Sequence, residues 1–352
     1  MAVEADPDQA DRQAARWIAR VAQARRRAAR QRQAAALDLS LDDTERLTDR
    51  IRLTVAAHLR QLVEAIFHDL KHQATRLAVD AGHDAANFWS ASAGDIVERL
   101  RDAGMLHDAP WVAEIVAQAH QRLIAAALPS EHGGDAPSLL VRLSEAPDRI
   151  VAVAARAVLA AADHGGERPS TLTAQTHHAL VWAVAAAMRD RDHPAADRAL
   201  AQAAERVLAA RDESEPFGAA ALRLAMAIDA RPAELPDLLL ESLSDRQLGL
   251  FVAFLSHALG FGDRDMREIV LEPEGDRLWL ALRALDLDRV TIARIGWSLS
   301  EADRRRDIEA FADGLDDVMS IAARDAAEAL AILKLPAPFR AAIDRFDGTA
   351  RR

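Results

Sequence analysis

Apolar positions recur along most of this chain with the period of a helix. In Ser138–Ala162 they fall into two blocks, divided at Ala146-Pro147. Leu139, Leu140 and Leu143 form the first block. Val151, Ala154, Ala155, Val158, Leu159 and Ala162 form the second, at the i, i+3, i+4, i+7 spacing of one buried face. Pro147 suits a first helical turn, where its missing N–H costs nothing. Such a pair cannot cover its own apolar face, so it needs neighbours on both sides.

Reading outward from this unit, the same periodicity predicts helices over most of the chain. Asp6-Pro7 with Gln9 starts one that runs to about Ala36. Ser40 caps a second, in which Leu47, Ile51, Val55, Leu59, Leu62, Ile66 and Leu70 recur every three or four residues, as in a coiled-coil seam. Joined at Leu37–Leu41, the two are expected to form an antiparallel hairpin able to pack back on the array or to pair with a second copy. Gly82 ends the segment, Ser92 caps a helix over 93–103, and Asp108 caps one over 109–128. Pro129–Pro137 is the most loop-like stretch and the expected boundary. Beyond it helices are predicted over 138–145, 148–163, 174–190, 195–211, 216–230, 236–243, 246–260, 264–271, 275–286, 288–299, 301–319, 321–333 and 336–346. Residues 1–128 thus read as a hairpin with linking helices, 138–346 as an array of antiparallel helix pairs, and 347–352 as a tail.

Composition agrees. Half of the 352 residues are apolar, only 4% are aromatic, and there are 15 Gly and 13 Pro. Alanine, the best helix former and a small packing residue, makes up roughly a fifth to a quarter of the chain. There is no cysteine, which excludes disulfides, thiolate metal sites and Cys nucleophiles. The formal charge of −11 argues against general nucleic-acid binding. The apolar runs Ala179–Met188 and Leu248–Leu255 are far short of the ~20 residues of a membrane span. The N-terminus lacks the continuous apolar core of a signal peptide, so the expected location is cytoplasmic.

Against this acidic background the first helix carries Arg12, Arg16, Arg20, Arg25, Arg26, Arg27, Arg30 and Arg32, with no acid after Asp11. It reads as a solvated helix or as a contact for an acidic partner protein. Of these, Arg16, Arg20, Arg25, Arg26, Arg27 and Arg30 are the candidate partner-binding residues.

Candidate chemistry is sparse. Glu64, His68 and His72 share a helical face at i, i+4, i+8, but the general-base Glu of a zinc protease is missing between the histidines, so no metal is expected. His68-Asp69-Leu70-Lys71 resembles the phosphoacceptor box of sensor histidine kinases, without its following proline or any nucleotide-binding segment. His68 is therefore a candidate phosphoacceptor only on a stand-alone hairpin. His132-Gly133-Gly134-Asp135 lacks a nucleophile elbow, and His177-His178 reads as a helix start or solvent face. Asp303-Arg304-Arg305-Arg306-Asp307, after a capping Ser300, reads as a self-neutralising helix start, and Asp316-Asp317 as a solvated edge. Trp182, Trp279, Phe251 and Phe254 are expected in the core. No cofactor is expected.

Ser138–Ala162 resembles a HEAT repeat, with Pro and Asp at the turn and a V-x-x-A-A-x-x-x-L second helix from Val151 to Leu159. A further resemblance, over about 40–346, is to the domain of unknown function 2336 family, all-helical and chiefly alphaproteobacterial. It is carried by Leu139-Leu140-x-x-Leu143 before Val151-Ala152, and by Ile269-Val270-Leu271 followed by Leu278, Arg283-Ala284-Leu285 and Leu287. That family has no established activity, so it implies a fold and no site. The expectation is an all-α, HEAT-like array preceded by a long helical hairpin. Its expected work is non-enzymatic: a scaffold or adaptor for another protein in regulation or signalling.

Overall fold

The structure, a computed structural model, describes residues 47–83, 88–106, 110–130, 137–167, 172–189, 196–210, 217–336, 338–340, 342–343 and 346. The chain divides into two units, Met1–Asp49 and Arg50–Arg352, and nearly all described residues belong to the second. The basic first helix with Arg16 to Arg30, and the turn of its expected hairpin, lie outside the described residues.

Every regular element among the described residues is helical. In chain order these are α1 (Asp49–Asp80), α2 (Ala93–Asp102), α3 (Pro110–Ala127), α4 (Leu139–Ser144), α5 (Arg149–Glu167), α6 (Ala174–Met188) and α7 (Ala196–Ala209). There follow α8 (Phe217–Ile228), α9 (Leu235–Ser244), α10 (Leu248–Leu259), α11 (Asp263–Leu271), α12 (Asp276–Ala284), α13 (Arg289–Ala302), α14 (Ile308–Ser320) and α15 (Ala323–Ala329). A 3₁₀ turn, Ala331–Lys334, follows the last.

The ends of the helices follow local chemistry. Gly82 takes φ +80 and stops α1, the left-handed conformation that glycine adopts without steric cost. Ser92 opens α2 with a full capping box: its hydroxyl accepts from the Asp95 amide, and the Asp95 carboxylate accepts from the Ser92 amide at 2.7 Å. Thr173 and Asp288 cap α6 and α13 with their side chains alone, accepting from the Thr176 and Thr291 amides.

Two apolar cores result. One gathers α1, Trp89, α2, the first half of α3, α6 and α7 around Leu70, Ile96, Trp111, Leu180 and Ala203. The other gathers the end of α3 with α4, α5 and α8 to α15 around Leu140, Val158, Phe251, Phe254, Leu282 and Ile295. Helix α3 serves both, through Trp111 and Ile115 in one and Ile124 with Leu128 in the other. Neighbours in sequence are not always neighbours in space. Helix α5 packs on α4 and α8, whereas α6, with α7 beside it, returns to α2 and α3.

The 129–137 stretch is bridged by the turn between α9 and α10. The Arg246 Nε donates to the Leu128 carbonyl at 2.9 Å, and the Asp245 carboxylate accepts from the Leu139 amide. The short turn 245–247 therefore holds both the end of α3 and the start of α4. No described helix is long and apolar enough to cross a membrane.

Candidate functional site

On α1, Glu64, His68 and His72 all face solvent. His68 Nε2 lies 3.9 Å from Glu64 Oε1, with the His68 side chain 67% exposed. Among the described residues, no three His, Cys, Asp or Glu side chains gather closely enough to hold a metal ion. His68 thus stands as an accessible imidazole on a regular helix, free to meet a second molecule.

His58, ten residues before His68 on α1, is only 3% exposed. Its Nδ1 lies 3.3 Å from Arg122 Nη1 on α3 and accepts from that permanently charged donor. Burial first, and then the Arg122 charge, lower its pKa to about 4, so the ring is neutral at physiological pH. It ties α1 to α3.

The Asp303–Asp307 run departs from expectation. Helix α13 continues to Ala302 with Ser300 buried inside it, and Asp307, not Ser300, caps α14 by accepting from the Glu309 and Ala310 amides. Instead of a solvated helix start, the turn is folded inward. Arg306 is only 7% exposed and donates to the Val270 carbonyl at 2.6 Å, while Arg305 reaches the Leu271 carbonyl and pairs with Asp303 at 2.7 Å. The reason is that α11 ends at Leu271 with carbonyls that have no helical partner, and the arginines satisfy them. Burial lowers the Arg306 pKa to about 10, against the favourable charges of Asp303, Glu272 and Glu274. Burial would raise Asp303, but the hydrogen bonds and charge of Arg305 outweigh it and hold the carboxyl below its ordinary range. His120 of α3 faces this group and is lowered to about 4 by burial and by Arg305. Asp303, Arg305 and Arg306 tie the turn between α13 and α14 to the end of α11 and form a structural clamp.

Arg283 makes a second clamp. Its guanidinium donates twice to the Ile321 carbonyl, at 3.0 and 3.2 Å, and once to the Leu287 carbonyl at 3.3 Å. A shallow recess of about 310 Å³ at the start of α2 is lined by Arg60, Ser92, Asp95, Glu98 and Arg101 among others. Its best-placed groups, Ser92 and Asp95, are already used by the helix cap.

The aromatic residues divide. Phe251, Phe254 and Trp279 are buried as expected, but Trp182 is not: it is 36% exposed and donates from its indole N–H to His178 Nε2 at 3.2 Å. Helix α6 is apolar nearly all round, so its sequence did not mark which side faces water.

The most exposed large apolar side chains of α13 are Val290 at 68% and Trp297 at 45%. Their positions, two turns apart, put them on one face with Arg294 and Glu301, all of them exposed. Helix α14 lies antiparallel alongside. The Phe311 ring occupies the space that a Cβ on Gly296 would need, and Arg289 at the start of α13 pairs with Asp316 near the end of α14. Phe311 in turn stacks on Trp279 of α12, ring centroids 4.4 Å apart. The hairpin is thereby fixed from beneath while its outer side stays uncovered. From sequence, Trp297 was one tryptophan among several; its exposure follows only from which neighbours α13 acquires.

No known protein family matches this chain, and neither the curated proteins nor the solved structures include one that does.

Proposed function

We propose that this chain is a non-enzymatic helical scaffold that binds another protein in cytoplasmic regulation or signalling. The observation that supports this reading is the outer side of the α13–α14 hairpin, where Val290 and Trp297 are held in water on a rigidly packed support. A buried tryptophan contributes to a core, but an exposed one on a fixed helix is the kind of group that anchors an interface. The polar groups within the protein are consistent with this reading: His58, Arg283, Arg305 and Arg306 join helices to one another. The resemblance to the domain of unknown function 2336 family adds no activity to this reading. Replacing Trp297 with a photo-crosslinking residue and irradiating intact cells tests it. A discrete adduct with one protein is expected; irradiation that joins Trp297 to nothing contradicts the scaffold.

A second reading rests on the exposed imidazole of His68 beside Glu64. There, α1 acts as a phosphotransfer or kinase-mimicking helix. Incubation with a small-molecule phosphodonor would then give acid-labile phosphate that a His68→Gln variant lacks. No such phosphate in the native protein rules it out.

A further inference from the structure

Helix α14 carries acidic side chains and no basic one of its own. Its exposed side bears Glu309, Asp313, Asp316 and Asp317, and the helix has no lysine or arginine. Glu309 with Asp313, and Asp313 with Asp317, are like charges at i, i+4, where they repel. Asp316 and Asp317 also sit near the helix C-terminus, the end whose dipole disfavours anions. Asp316 has Arg289 as a partner from α13.

This acidic side is continuous with the apolar one. The helices are antiparallel, and Arg289 meets Asp316 across the hairpin, so Val290 and Trp297 border the same solvent side as α14's carboxylates. The surface is therefore Val290 and Trp297, with Arg294 between them and Glu301 beyond, beside an acidic margin. A nucleic acid or an anionic membrane would be repelled by that margin, and the same side of a second copy, meeting it face to face, would set acidic groups against acidic groups. A cationic helix with one apolar stripe is complementary on both counts.

We propose that this side of the α13–α14 hairpin docks an arginine-rich amphipathic helix of a partner protein. The proposal rests on the scaffold reading above and names the chemistry of its partner. The partner's apolar stripe lies on Trp297 and Val290. Its guanidinium groups reach the α14 carboxylates, which they suit better than ammonium groups do because the planar fork can take both oxygens. The overall charge of −11 adds attraction at long range.

Fluorescence anisotropy with the full chain and a labelled 20-residue amphipathic helix of Arg, Leu and Ala provides the test. A peptide with Glu for Arg and a scrambled peptide of the original composition serve as controls. Saturable binding of the arginine peptide alone is expected. Trp297→Ala should weaken it on the order of tenfold or more, as for a central interface aromatic. Trp297→Phe should recover part of that loss. Asp313→Asn with Asp317→Asn should weaken binding at low salt and flatten its salt dependence. Equal binding of the three peptides, or an unchanged affinity in Trp297→Ala, overturns the proposal. If the arginine peptide fails while crosslinking at Trp297 still yields one partner, the scaffold reading stands and the basic-helix assignment falls.

Discussion

The α6–α7 pair and the helices from α10 to α13 bury themselves with different materials. In the first, Ala183, Ala185, Ala196, Ala199, Ala203 and Ala204 form much of the contact. In the second the contact is made by Phe251, Phe254, Ile269, Leu278, Leu282 and Ile295, and its turns are clamped by Arg283, Arg305 and Arg306. Alanine lets helices approach closely but removes little apolar area from water, at about 25 cal/mol per Å². Large side chains remove more, and arginines that satisfy helix-end carbonyls fix one arrangement of the turns. The α10–α13 region is thus the firmer support, and the exposed α13 face is mounted on it.

Substitutions can break this contrast. Phe254→Ala in α10 should cost about 3–5 kcal/mol in urea unfolding, by lost transfer energy and the cavity left behind. Asp303→Asn should cost a comparable amount, about 3–5 kcal/mol, because it leaves Arg305 and Arg306 buried without their nearest carboxylate. Should either cost less than 1 kcal/mol, the clamped core is not the firmer region.

The pH dependence probes the α1–α3 seam. His58 has a folded pKa of about 4 against 6.5 in the unfolded chain. Between those values the unfolded chain binds the extra proton, so stability is full above pH 6.5 and declines as pH falls toward 4. The decline attributable to His58 is on the order of 3 kcal/mol, and His120 adds to it in the same direction. His58→Gln should make the slope shallower between pH 6.5 and 4; an unchanged slope means that the imidazole is not held neutral there.

Overpacking tests the other side of the contrast. Ala203→Leu in α7 should cost about 1–3 kcal/mol, since the close approach leaves no room for a larger group. A neutral result would show the α6–α7 contact to be loose. Trp297→Ala should be the mildest, within about 0.5 kcal/mol in stability, as its side chain is not part of a core.

How far the sequence reached depends on the range of the interaction. Ser92, Gly82, and the face made by Val151, Ala155 and Val158 were legible because each acts within a turn or two of its own helix. The return of α6 to α2 and α3 was not, because short alanine-rich helices offer similar faces to several neighbours. The burial of Arg306 was not legible either: its acceptor, the Val270 carbonyl, lies 36 residues away and exists only once α11 has ended there. Trp182 and Trp297 follow the same logic, since each is assigned to core or solvent by helices distant in sequence. For the candidate site, helical spacing placed His68 on a polar face, but nothing in the residues around Trp297 announced a surface.

Hydrogen exchange along the whole chain, with and without the partner captured at Trp297, is the most direct test of the docking face. The account predicts added protection across 289–320, with 174–209 unchanged. Protection that appears over 174–209 or 49–80 while 289–320 exchanges as before would contradict it.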